Sequence, residues 1–71
     1  MKVYAVYCYK NMVEPLFLSQ ADAEEMCMAY AFEDGLNTYN QYGYLFSHET
    51  GMREAEDAMS EWYVWEYTVL V

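Results

Sequence analysis

The chain has 71 residues, 12 acidic against 3 basic, and a net charge of −9 at pH 7. That length makes one acidic domain, residues 1–71, and the charge argues against direct binding to nucleic acid or to an anionic membrane surface. Its residues are 56% hydrophobic and 20% aromatic, which excludes compositional disorder, and no apolar run is long enough to span a bilayer. A domain this small buries a modest core, so self-association is a common supplement.

Lys2 to Tyr9, KVYAVYCY, is rich in Val and Tyr and apolar on both faces, which predicts a strand in the middle of a sheet. Lys10-Asn11-Met12 is the expected turn, with Asn11 at positive φ. Val13 to Leu18 is the expected returning strand. Pro15 cannot donate to a ladder, which puts this strand at an edge or makes it short.

Ser19 to Gly35 reads as a helix with a start and a stop. Ser19 suits the N-cap, Asp22 approximates a capping box, and Gly35 suits the left-handed residue that closes a helix. Ala23, Met26, Cys27 and Tyr30 recur at helical spacing. Met26 to Phe32 is apolar without a break, more than a one-sided helix needs. At about 100° per residue, Met28 and Phe32 point away from the inner stripe. They must meet another element, a second copy, a partner or water, so a homodimer is one expectation. Glu33 and Asp34 in the last turn oppose the helix dipole, each at about 0.3–1 kcal/mol if exposed.

Leu36 to Ser47 holds Asn37, Asn40 and Gly43 among its aromatics and reads as an irregular or short helical connection. Thr50 is a weak N-cap for a second helix, roughly residues 51–60, with Met52, Ala55 and Met59 as its inward stripe. Glu54, Asp57 and Glu61 fall on the opposite side. Trp62 to Val71, WYVWEYTVLV, is a strong strand signal with Tyr63, Trp65, Tyr67, Val69 and Val71 on one apolar face; unpaired, it would be an aggregation edge. The expected fold is α+β: a small three-stranded, mainly antiparallel sheet with two helices packed on one face, and the last strand beside the first.

Chemistry-bearing motifs are sparse. His48 is the single histidine, and with two distant cysteines it makes no metal-binding spacing. A Cys8 or Cys27 nucleophile with His48 has no supporting motif. Glycine-rich phosphate loops and calcium loops are missing. The expectation is a protein that is not an enzyme and carries no cofactor or metal. The opening strand leaves no leader segment, so a cytoplasmic setting with both thiols reduced is expected.

The acids remain. A solvated surface is the plain reading, yet surfaces built for solubility mix both signs, and here Lys and Arg are almost absent. Duplex DNA carries one charge per ~1.7 Å of axis, and its binding proteins offer matched Lys and Arg. Carboxylates one helical turn apart, about 5–6 Å, present a comparable array. The candidate partner-binding residues are Asp22, Glu25, Glu33 and Asp34 on the first helix and Glu54, Asp57 and Glu61 on the second. Tyr39 and Tyr42 would add packed area at the rim.

The Tyr/Val-rich opening KVYAVYCY, the F-L-S that ends the next strand, and the helix start A-D-A-E-E resemble the small acidic early proteins of lytic bacteriophages. The pattern match covers residues 2–25; size and charge carry the rest. Some proteins of that kind are DNA mimics that act in host takeover. The resemblance implies a partner that is a basic DNA- or RNA-binding host protein: the nucleoid protein HU, a CRISPR or restriction effector, or RNA polymerase. Mimics share a charge layout and no motif, so no residue role is carried over. The alternative is an adaptor or oligomerisation module that uses Met28 and Phe32, with the acids only solvating.

Overall fold

The structure, a computed structural model, describes residues 1–70. Its elements are β1 (Lys2–Cys8), β2 (Asn11–Phe17), α1 (Gln20–Leu45), α2 (His48–Ser60) and β3 (Trp62–Thr68). The sheet order is β2-β1-β3 with both pairings antiparallel. This is the α+β fold expected, with β1 in the centre and the Pro15 strand at an edge.

The two edges differ. The β1–β3 ladder runs without interruption from Lys2↔Thr68 to Cys8↔Trp62. The β1–β2 ladder shifts register twice, and Leu16 sits at φ 69°. Bulges and proline are the usual means of blunting an exposed edge. The hairpin turn is Tyr9-Lys10, at φ 51° and 67°, one step earlier than the sequence predicts. Two consecutive left-handed residues match the strand twist of a two-residue hairpin. Asn11 opens β2 and its Nδ2 donates to the Tyr9 carbonyl at 3.3 Å.

Ser19 caps α1 as expected, accepting from the Asp22 amide at 3.3 Å. Gly35 does not end the helix. α1 continues to Leu45, through the segment expected to be irregular. The reason lies in α2, which folds back along the second half of α1. A Cβ on Gly35 would lie 2.6 Å from Met59 Cγ, and one on Gly51 would lie 2.9 Å from the Gly43 backbone nitrogen. The glycines let two helices approach closely, and that packing outweighs the weak propensity of Asn37, Asn40 and Gly43. α2 starts at His48, earlier than the expected start at 51. Ser47 is its cap, accepting from the Thr50 amide at 3.1 Å; Thr50 lies inside the helix.

The first half of α1 lies on the sheet, burying Ala23 and Cys27. Tyr30 stacks on Trp62 with ring centroids 5.5 Å apart. The second half of α1 extends beyond the sheet with α2 beside it. The result is a rod of 52 × 18 × 13 Å. Its core is thin: Val3, Ala5, Val6, Ala23, Cys27, Ala55 and Ala58. The inward side of α2 is Gly51, Ala55 and Ala58, whereas Met52 and Met59, expected inside, are partly exposed. Met26, expected on the inner stripe of α1, is exposed as well. Small residues take the closest positions of the crossing, and the Met59 side chain lies over Gly35 at its margin.

Candidate acidic surface and its surroundings

Asp22, Glu25 and Glu33 on α1 and Asp57 and Glu61 at the end of α2 are exposed, as expected; Glu54 is half-buried. Asp34 is half-buried, and its Oδ2 accepts from Trp62 Nε1 at 2.9 Å. It therefore anchors α1 to β3 as well as carrying charge. Asp22 and Glu25 stand apart, because eleven residues of helix put Asp22 about 16 Å from Glu33 along the axis.

Among the described residues one ion pair is formed, Lys2 Nζ to Glu66 Oε1 at 3.1 Å. That hydrogen bond and the carboxylate charge raise the Lys2 pKa. Other acids take neutral donors: Glu14 accepts from the Tyr30 hydroxyl at 2.9 Å and Glu24 from Gln20 Nε2 at 3.1 Å.

A cleft of about 480 Å³ lies where the sheet meets the helices, lined by Cys8, Tyr9, Tyr30, Glu33, Asp34, Asn37 and Trp62. Burial pushes the Cys8 thiol up, and the charges of Asp34 and Glu61 push it further. Tyr9 is raised by burial and then by Asp34, Glu61 and Asp57. The fold thus gathers negative potential from both helices at one place. The aromatic lining from Tyr9, Tyr30 and Trp62 was not read from sequence. Trp62 beside Glu61 was its only local signal. Burial also raises the Cys27 thiol, and both cysteines are free thiols. No group of three or more metal-binding side chains is assembled among the described residues, and none of their helices is long and apolar enough to cross a membrane.

Two apolar surfaces flank the charges. Met28 is 72% exposed and Phe32 67%, and Leu36 continues their row one turn on. The second surface is the sheet face opposite α1. Tyr7 stacks on Tyr63 at 5.2 Å, and Tyr63 meets Trp65 edge-on at 6.5 Å. The Tyr7 and Tyr67 hydroxyls are hydrogen-bonded to each other.

That bond, with desolvation and then the neighbouring tyrosines, pushes the Tyr7 pKa up to about 12. The neutral phenol is favoured in the folded state. Its contribution to stability is complete below the ordinary tyrosine value near 10 and is lost as pH rises through about 12. Tyrosinate absorbance should therefore show a phenol that titrates later than the other tyrosines of the folded protein. Tyr67→Phe should move it back toward pH 10; an unchanged curve would refute the assignment.

Compared with known families, curated proteins and solved structures, the chain matches no family model, no curated protein and no solved structure.

Proposed function

We propose that the protein is a non-enzymatic inhibitor that occupies a basic nucleic-acid-binding surface on another protein, its carboxylates standing in for DNA phosphates. The observation that supports this most is the lack of cation partners. Lys2–Glu66 is the one ion pair among the described residues of a chain holding 12 acids. Twelve acids on a rod 52 Å long average about one per 4 Å of length, in groups rather than at even spacing, against ~3.4 Å along one DNA strand. Asp22 and Glu25, then Glu33 and Asp34 with Glu61 beside them, then Asp57 and Glu54 follow one another along the two antiparallel helices. The fitting partner is a basic DNA- or RNA-binding protein. With the likeness to phage early proteins, this is a host nucleoid protein such as HU, a CRISPR or restriction effector, or RNA polymerase, met in the host cytoplasm.

The exposure of Met28, Phe32 and Leu36 favours a second reading, an adaptor that binds through this row with the acids only solvating. A competition assay separates the two. With HU as target, the mimic displaces labelled DNA, binds no DNA itself, and loses affinity steeply as salt rises, because screening shortens the reach of the charges. A complex that forms equally well at low and high salt but is lost in Met28→Ser/Phe32→Ser supports the adaptor and rejects the mimic.

A further inference from the structure

The free edge of β3 is built differently from the free edge of β2. Val69 N donates to the Met1 carbonyl at 2.7 Å and Met1 N returns a bond to the Val69 carbonyl at 3.2 Å. Tyr9 N donates to the Glu61 carbonyl. In an antiparallel ladder such pairs alternate. Odd-numbered residues of β3 therefore point their backbone groups at β1, and even-numbered ones point outward. The amides and carbonyls of Trp62, Val64, Glu66 and Thr68 face away from the sheet, and among the described residues no other backbone segment takes them up. Where β2 is interrupted by Pro15 and Leu16, β3 is seven regular residues with no proline, bulge or unpaired lysine.

The surface area points the same way. The chain exposes 5300 Å², whereas a monomer of 8.4 kDa is expected to expose roughly 4600 Å². The excess, roughly 700 Å², is close to the ~800 Å² that each partner contributes to a standard interface.

We propose that the protein is a homodimer in which β3 pairs antiparallel with β3 of a second copy, making one six-stranded sheet with Trp65 on the two-fold axis. This register uses every outward group: Trp62 pairs with Thr68 of the other copy, and Val64 with Glu66. Moving the axis to Val64 leaves Thr68 unused, and moving it to Glu66 sets like carboxylates opposite each other, which is unfavourable. With Trp65 on the axis, each Tyr63 lies opposite a Tyr67, and the aromatic face runs unbroken across both copies. The Lys2 ion pair lowers the charge at Glu66. The cleft of about 380 Å³ between α1 and β3, lined by Glu24, Cys27, Met28 and Val64, lies beneath this strand. Met28 thereby becomes part of the joint, through the edge of the sheet rather than through a helix face.

Cysteine scanning along β3 tests the register. Opposed Trp65 residues form a non-hydrogen-bonded pair with Cα atoms about 4.5 Å apart, within disulfide reach. Trp65→Cys should oxidise to a covalent dimer, identified by mapping the linked peptide. Tyr63→Cys and Tyr67→Cys should stay unlinked, because each lies about 14 Å from its own copy. Glu66→Pro removes an outward amide and no backbone bond to β1, and Glu66→Gln controls for loss of the exposed Lys2 ion pair; the proline variant should sediment as a monomer at concentrations where the parent and Glu66→Gln are dimers, with its circular dichroism retained. Dimerisation should strengthen with salt, since both copies are acidic. A parent that sediments as a monomer at high micromolar concentration would overturn the proposal. So would Tyr63→Cys linking as readily as Trp65→Cys, or a folded Glu66→Pro that still dimerises.

Discussion

Gly51→Ala should lower stability by about 2 kcal/mol, and Gly43→Ala, the same change eight residues earlier, should raise it by up to about 1 kcal/mol. The two glycines face the same helix crossing from opposite sides. A methyl group on Gly51 would sit 2.9 Å from the Gly43 nitrogen and 3.0 Å from its Cα. Those are backbone atoms, so the helices themselves must move apart, and such overpacking costs about 1–3 kcal/mol. On Gly43 the same methyl meets nothing closer than the Tyr39 ring at 3.8 Å, which is ordinary contact, and alanine then brings its better helix propensity. Gly35→Ala falls between them, because its neighbour is the flexible Met59 side chain. Thermal unfolding should place Gly51→Ala roughly 8–16 °C below the parent. Equal melting temperatures for the two alanine variants would show that the glycines are not packing residues.

Reversing Glu54, Asp57 and Glu61 to Lys together should weaken binding to a basic target by about 100-fold, taking each lost pair at about 1 kcal/mol. The net charge falls from −9 to −3, since each of three changes adds two units. Association should slow most, because opposite charge steers the encounter. Asp57 and Glu61 are exposed, so the fold should tolerate their reversal; Glu54 is half-buried and needs Glu54→Gln as a companion. On α1, Asp22→Asn together with Glu25→Lys and Glu33→Lys spares the capped first turn. Unchanged displacement of DNA in both sets would reject the acidic surface as the binding site.

Much of this fold was legible because the signals were local. The alternation from Lys2 to Tyr9, the proline in β2 and the serine at position 19 each report on their own neighbourhood. Gly35 was misleading for the converse reason. At the end of an apolar run it looks like a helix stop, and only Met59, 24 positions away, makes it a packing site. Met52 reads as core by hydropathy but lies outside, and Met59 sits over Gly35 at the margin of a crossing whose inner position Ala58 takes. The acids could be listed from sequence, but not their division. The Asp34–Trp62 bond joins residues 28 apart and draws one carboxylate into the fold.

The central position of β1 also sets a schedule. β1 ends at Cys8, and the strand that completes its second ladder ends at Thr68. Sixty residues of synthesis separate them, about 3–12 s at about 5–20 residues per second. Through that interval β1 has a strand partner only in β2, across a hairpin of irregular register, with the start of α1 as its other cover. The sheet closes only after both helices have been made, so this protein matures as a unit rather than in stages. A nascent chain stalled before Trp62 should therefore display β1 with one edge open, the kind of apolar surface that chaperones bind.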